Sequence, residues 1–161
     1  MSYRTGQVVD LDLKAGEVAH GGWCVARPAD GPVIFVRHAL PGERVLARVT
    51  EVTTRLARAE AVQILAASPD RVEPPCPHAH PGGCGGCDWQ HAALPAQRSL
   101  KAAVVRQQLR RLAGLDMEVT VEPLPGDAGA EPGAGLGWRT RVQFAVRADG
   151  VAGLRAHRSH R

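Results

Sequence analysis

Three closely spaced cysteines are the residues of this chain best suited to chemistry. They form the pattern Cys76-x7-Cys84-Gly-Gly-Cys87. Two thiolates separated by two residues can hold one metal centre, because the intervening turn directs both sulfur atoms to the same side. The glycines between them allow positive φ angles and leave backbone N–H groups free to face the sulfur atoms. The pattern therefore predicts a metal site with Cys76, Cys84 and Cys87 as ligands.

The spacing alone leaves the identity of the metal open among three interpretations. An iron–sulfur cluster would use these cysteines as three of its four ligands. A structural zinc ion would need one histidine to complete a Cys3His site, and the candidates are His78, His80 and His91. The third interpretation is a redox pair or unligated thiols. The remaining cysteine, Cys24, falls on a predicted strand and is interpreted as a small buried hydrophobic residue.

Basic side chains form two blocks separated by an acidic stretch. Residues 95–113 contain five basic and no acidic residues, and residues 114–136 contain five acidic and no basic residues. Residues 137–161 then contain six arginines and one aspartate. Such blocks are typical of a surface that faces a polyanion. On charge alone, a solvated helix face and a strand edge guarded by charge explain the pattern equally well.

The elements expected to position these residues begin with a small β-barrel over residues 1–66. Apolar and polar residues alternate over residues 9–13, as in a half-buried strand. Four further strands are predicted between turn signals, over residues 23–27, 32–36, 44–52 and 58–65. Five short strands with closely spaced turns predict a barrel of the SH3-like or oligonucleotide-binding (OB) type.

The composition changes at the end of the barrel. Residues 67–94 are rich in Pro, Gly, Cys and His, so burial of apolar surface cannot fold them and something else must hold them. Residues 95–113 are predicted to form a basic helix, with Pro95 in the first turn and Gly114 after the end. Its apolar face is predicted to contain Leu100, Val104, Gln108 and Leu112.

The last part of the chain, residues 114–161, is predicted to be the incomplete beginning of a second β domain. A loop rich in Gly and Pro precedes a β-hairpin with strands over residues 138–146 and 151–156. A two-stranded unit is only marginally stable alone. The expected fold class is therefore mainly β with one helix.

Neither a secretory signal nor a membrane span is evident in the sequence. The N-terminal residues contain no apolar core of a signal peptide, and no apolar run approaches the ~20 residues that a membrane span needs. We therefore expect a cytoplasmic protein, and disulfides are rare in that compartment. We also expect a monomer without membrane contact.

Residues 74–114 resemble the iron–sulfur segment of the RNA (uracil-5-)-methyltransferase family. The family pattern is a Cys, a short loop, Cys-Gly-Gly-Cys, then Gln-His and a basic helix, and the matching positions are Cys76, Cys84, Cys87, Gln90, His91, Gln97 and Lys101. Residues 19–65 resemble the TRAM domain that precedes this segment in many members. Residues 138–161 resemble the opening of the family's central β domain. The resemblance covers essentially the whole chain.

The resemblance implies an iron–sulfur cluster, with zinc as the alternative, and an RNA partner. The first hypothesis is that the chain is the N-terminal, RNA-binding and iron–sulfur portion of an S-adenosylmethionine-dependent uridine C5 methyltransferase acting on rRNA or tRNA. The RNA would be held through its phosphates, and the residues expected to contact it are Arg98, Lys101, Arg139, Arg141 and Arg155.

The resemblance also implies that several parts of the enzyme lie outside this chain. The fourth cluster cysteine of the family would follow a Ser-His such as Ser159-His160. The S-adenosylmethionine-binding domain, the nucleophilic cysteine and the general base have no counterpart here, so this chain alone is expected to be inactive. The second hypothesis is a stand-alone TRAM module that binds RNA without chemistry and holds a structural zinc ion.

Overall fold

Six strands pair into one sheet in the computed structural model, which describes residues 3–13, 18–125 and 135–159. The order across the sheet is β1-β5-β6-β4-β3-β2, and only the β4–β6 pair is parallel. The strands are β1 (Val8–Asp12), β2 (Val18–Ala19), β3 (Trp23–Ala26), β4 (Val33–Arg37), β5 (Arg44–Val52) and β6 (Leu56–Ala66). The five predicted strands are all present with small shifts at their ends. The predicted number was wrong by one, because β2 has only two residues and shows no alternation.

The core of this sheet is built from aliphatic side chains on alternate positions of the strands. Val45, Ala47 and Val49 of β5 are fully buried, whereas the residues between them are at least partly accessible. Ile34 and Val36 of β4 are also inaccessible to solvent. Each such aliphatic side chain larger than alanine stabilises the fold by about 1.5–3 kcal/mol when fully buried. The alternation therefore fixes which face of each strand turns inward.

A single long helix, α1 (Leu94–Ala113), follows the cysteine-rich segment among the described residues. Pro95 lies in its first turn, and Gly114 ends it in the left-handed conformation with φ 67°, where its N–H donates to the Arg110 carbonyl at 3.2 Å. The predicted helix is confirmed. The predicted apolar face is wrong at its end, since Leu112 is 82% exposed. The buried helix residues, Ala96 and Ala102, lie in its first half, so the second half of the helix projects into solvent.

The remaining segments contain little regular structure. Two isolated bridges involve residues 67–93. One pairs Arg71 with Ala92, and the other pairs Cys84 with Ala156 of the C-terminal segment. The C-terminal hairpin consists of β7 (Ala145–Val146) and β8 (Ala152–Gly153). These strands are much shorter than predicted, although the turn lies at Gly150 as expected, with φ 82°. The mainly β fold class with one helix is confirmed.

Candidate metal centre and nucleic-acid interface

The three predicted cysteine ligands line one cavity of about 860 Å³. Cys76 and Cys84 are half-buried and Cys87 is exposed. The walls around them come from the cysteine segment, the start of α1, and residues 135–142. The three cysteines therefore face one common cavity, although up to ten residues separate them in the sequence.

Backbone and amide groups fix the two ends of the cysteine loop. The Cys84 N–H donates to the His78 carbonyl at 2.9 Å, and the Cys76 N–H donates to Gln90 Oε1 at 3.1 Å. The Gly86 N–H donates to Cys84 Sγ at 3.3 Å. An N–H directed at a sulfur atom is the kind of backbone contact that cysteine-ligated metal centres receive.

Close packing explains the first of the two glycines between Cys84 and Cys87, and neither glycine has the positive φ angle that the sequence suggested. A Cβ on Gly85 would lie 2.6 Å from the backbone of His157, and one on Gly86 would lie 3.3 Å from Cys84 Sγ. The Gly85 N–H also donates to the Arg155 carbonyl at 3.0 Å. The C-terminal segment therefore lies directly against this turn, which a larger residue would push away.

The donor set fits a thiolate-bound metal better than a Cys3His zinc site. None of His78, His80 and His91 lines the cavity that the cysteines share. His91 is 4% exposed and its Nε2 donates to the Ala39 carbonyl at 3.2 Å, so this ring is committed to the barrel. Within residues 3–13, 18–125 and 135–159, no three His, Cys, Asp or Glu side chains are already gathered around one ion position. The chemistry of the thiols fits three of the four ligands of a cluster.

Cys24 is separate from this site and supplies no further ligand. Its side chain is fully buried in the barrel core, and its Sγ–H donates to the Ala39 carbonyl at 3.2 Å. Burial, with a smaller contribution from the carboxylate of Glu43, raises the pKa of the Cys24 thiol to about 12. The interpretation of Cys24 as a buried hydrophobic residue agrees with this position.

A buried arginine joins the cysteine segment to the barrel. Arg37, at the end of β4, is 2% exposed, and its Nη2 donates to Asp88 Oδ1 at 2.7 Å. Asp88 directly follows Cys87. A Cβ on Gly22 of the barrel would lie 2.5 Å from the Asp88 Cβ, so the two parts touch at this point. The guanidinium of Arg37 also lies 5.9 Å from the ring centroid of Trp23.

A second buried ion pair anchors the start of the cysteine segment. Glu43 is 1% exposed and accepts hydrogen bonds from Arg71 Nε at 2.6 Å and from Arg71 Nη2 at 2.7 Å. Its carboxylate also accepts the N–H groups of Leu40 at 2.8 Å and of Ser68 at 3.1 Å. Burial by itself would raise the pKa of Glu43, but these donors together hold it below its ordinary value.

Sequence reasoning missed both of these buried ion pairs. Arg37, Glu43 and Arg71 are ordinary charged residues in the sequence, and each lies far along the chain from its partner. Only the position of Asp88 next to a predicted metal ligand offered a signal. The charges of Arg37 and Glu43 are buried because each finds a partner that is distant in the chain. The local sequence pattern does not encode such pairs.

The predicted RNA-contact residues are divided by the structure into two groups. Arg98 and Lys101 of α1 line the cysteine cavity together with Arg139. Arg141 and Arg155 are exposed and lie outside that cavity. Arg139 Nη2 donates to the Gly86 carbonyl at 3.4 Å, which places this arginine against the turn between the cysteines. Part of the predicted basic surface is therefore concentrated beside the thiols.

None of the helical residues that the structure describes forms an apolar stretch able to cross a membrane.

The comparisons with known proteins identify the barrel and relate the whole chain to RNA-modifying proteins. Residues 4–62 match the TRAM domain. An RNA methyltransferase of Streptomyces avermitilis is 60% identical, over 94% of this chain and 36% of the relative. The 23S rRNA (uracil(1939)-C(5))-methyltransferase of Halomonas elongata is 44% identical, over 89% of this chain and 29% of the relative.

One solved structure shows a more distant likeness. It is the tRNA (uracil-54, C5)-methyltransferase of Pyrococcus abyssi in complex with S-adenosyl-L-homocysteine, with 25% identity and a TM-score of 0.41 over 73% of this chain and 23% of that chain. The chain spans about a third of the length of the curated relatives described above, 36% and 29% respectively. The chain therefore contains a TRAM domain over residues 4–62, and over most of its length it is similar to the two RNA methyltransferases of Streptomyces avermitilis and Halomonas elongata.

Proposed function

We propose that this chain is the RNA-binding and iron–sulfur portion of an S-adenosylmethionine-dependent methyltransferase that acts on uridine C5 in rRNA or tRNA. The observation that carries the proposal is the shared cavity, which places Cys76, Cys84 and Cys87 beside basic residues of α1 and next to a TRAM barrel. The relatives named above supply the substrate class, uracil in RNA. Methyl transfer itself would be performed by residues outside this chain.

Within this proposal, the three cysteines would hold a cluster whose role is structural. Bound there, the cluster would cross-link the cysteine loop, and through Cys84 it would hold the C-terminal segment that pairs with this residue at Ala156. Cys24 is committed to the barrel core, so none of the four cysteines of this chain remains to serve as the fourth ligand. We therefore expect the cluster to be labile in the 161-residue protein.

The proposed compartment is the cytoplasm and the proposed form is a monomer. All four cysteines are free thiols in the structure, which supports a reducing environment.

The metal assignment is tested by reconstitution without oxygen. The chain should take up iron and sulfide and develop a broad absorption near ~400 nm, as clusters held by Cys thiolates do. Cys84→Ala should lose this absorption, whereas Cys24→Ala should retain it because Cys24 lies outside the cavity. A colourless protein that binds one equivalent of zinc through the same cysteines would instead support the zinc-containing module.

The RNA assignment is tested by the salt dependence of binding. Affinity resting on phosphate contacts falls steeply with salt and differs little between unrelated RNAs. Replacing Arg139 and Arg141 together with Gln should weaken binding to all RNAs and reduce the slope of log K against log salt. Affinity that does not change with salt would contradict the proposed role of the basic residues.

A further inference from the structure

Two tryptophans line the cysteine cavity, and the structure gives them different surroundings. Trp89 stacks on His91, with ring centroids 6.1 Å apart and an angle of 26° between the planes. This ring is therefore used in packing against the buried histidine. Trp138 is 65% exposed. An exposed indole at the edge of a cavity is a large apolar surface available to a ligand.

One basic group lies against the exposed ring, and two more line the same cavity. The guanidinium carbon of Arg139 lies 5.3 Å from the ring centroid of Trp138, and Arg139 is held at the Gly86 carbonyl. Arg98 and Lys101 project from α1 into the same cavity. Two acidic residues line the cavity, and one of them, Asp88, is paired with Arg37 at 2.7 Å. The three basic residues therefore outnumber the remaining acid, Glu73, and the cavity is positively charged.

We propose that this cavity binds one unpaired nucleotide of a single-stranded RNA segment, with its base stacked on Trp138. The flanking phosphates would be bound by Arg98, Lys101 and Arg139. Aromatic rings beside cations are the usual combination in sites for single-stranded nucleic acid, because every base offers a flat π face. The same cavity of about 860 Å³ also contains the three cysteines, so the nucleotide would occupy the part beside Trp138 and not the part proposed to hold the cluster.

This inference rests on the proposed RNA-binding function and adds the form of RNA that is recognised. In a duplex the bases are stacked on each other and cannot be inserted beside an indole without being unpaired. The site therefore distinguishes unpaired from paired RNA.

The test is a binding measurement with the whole metal-loaded chain and a fluorescein-labelled single-stranded RNA of about 12 nucleotides. The same RNA annealed to its complement is the second probe. Trp138→Ala should weaken binding of the single strand about 10-fold and leave binding of the duplex nearly unchanged. Trp138→Phe should restore most of the affinity, because a phenyl ring also stacks.

Matched controls are available in the same segment. Phe144 is 57% exposed but lies outside the cavity, so Phe144→Ala should bind the single strand as the unchanged chain does. Arg147 is exposed and paired with Asp149 at 2.8 Å, also outside the cavity. Arg139→Gln should therefore weaken single-strand binding more than Arg147→Gln does. Equal metal-centred absorption in all variants excludes an indirect effect through the metal site.

The possible outcomes separate this inference from the proposed function. RNA binding that is equally strong in Trp138→Ala and the unchanged chain would overturn the nucleotide site and leave the RNA-binding function standing. An equal loss in Trp138→Ala and Phe144→Ala would also overturn the site. A chain that binds neither RNA would overturn both. The inference stands if Trp138→Ala loses affinity for the single strand but not for the duplex, while Phe144→Ala loses neither.

Discussion

Glu43 shows how one buried charge links the barrel to the residues that follow it. Its carboxylate is fully enclosed and accepts four hydrogen bonds, two from Arg71 and two from backbone N–H groups. The net stabilisation by such a pair is small, but removing one partner leaves the other charge without compensation. The penalty for removing Glu43 should therefore be large.

We predict that Glu43→Gln lowers the free energy of unfolding at pH 7 by about 3 kcal/mol. The pKa of Glu43 is depressed in the folded chain, so the stability from its ionised form is complete above the ordinary value of 4.5 and is lost as the pH falls further. The difference between variant and unchanged chain should shrink in that range. Urea unfolding at several pH values measures both effects.

Glu51→Gln serves as the control for Glu43→Gln. Glu51 pairs with Arg58 at 2.6 Å, but its side chain is 43% exposed. Loss of an exposed pair costs less than about 1 kcal/mol. Equal losses for the two variants would show that Glu43 is not the buried anchor.

The four cysteines should differ in reactivity for a physical reason that is visible at each residue. Burial raises the pKa of Cys24 to about 12, and its side chain is inaccessible to solvent. Iodoacetamide at pH 8 should therefore modify Cys76, Cys84 and Cys87 in the metal-free chain and leave Cys24 intact. Mass spectrometry of the peptides measures this, with modification in urea as the control in which all four react. Rapid labelling of folded Cys24 would contradict its position in the core.

At the scale of elements, the turn before β3 and the loop after Cys87 are in direct contact. Gly22 has φ 75°, and a Cβ there would lie 2.5 Å from the Asp88 Cβ. Asp88 in turn is bound by Arg37 at the end of β4. The glycine is therefore needed twice, once for the left-handed conformation and once for the approach of Asp88.

We predict that Gly22→Ala destabilises the chain more than Gly42→Ala does. Both glycines have positive φ, 75° and 86°, so an alanine is strained at either position, but nothing lies within 4 Å of a Cβ at Gly42. The conformational cost, about 1–2 kcal/mol, is shared. The excess for Gly22→Ala, about 1–3 kcal/mol from overpacking, measures the contact with Asp88. Thermal or urea unfolding gives both values, and equal losses would mean that the loop simply moves aside.

The elements were predictable from sequence to the extent that local pattern decides them. Alternation revealed β1, and Pro95 and Gly114 marked the two ends of α1. The sequence did not reveal β2, since two residues are too short to show a period. Leu112 lies on a helical period but is exposed, because burial depends on a partner surface and not on the period itself. At the site, the cysteine spacing predicted the shared cavity, whereas the Arg37–Asp88 pair depends on the tertiary fold.

At the scale of the whole molecule, three parts of the chain meet around the cysteine turn. The barrel contributes Trp23, whose ring lies edge-to-face with His157 at 5.8 Å between centroids. The cysteine segment contributes Gly85, which donates to Arg155 of the C-terminal segment. Beyond the turn, the C-terminal segment has several exposed apolar side chains, and these include Trp138, Val142, Phe144, Val146 and Val151.

We predict that this chain does not bind S-adenosylmethionine. Among the described residues, the one long helix follows an irregular cysteine-rich segment, and no strand, Gly-rich turn and helix occur in succession. Isothermal titration calorimetry should therefore give no binding heat, and incubation with RNA and labelled donor should give no methylated product. A longer chain that includes the remaining length of its relatives is the positive control. Measurable donor binding by the 161-residue chain would contradict this prediction.

The barrel residues that hold the cysteine segment have a consequence for biosynthesis. All of them precede this segment in the chain, and they are Arg37, Ala39, Glu43 and Glu60. During translation the barrel can fold as soon as β6 has left the ribosome, since N-terminal units fold first. The three cysteines of the cavity then leave the ribosome after the barrel has folded. We expect this order to shorten the time that their thiols are exposed to oxidation before they bind a metal.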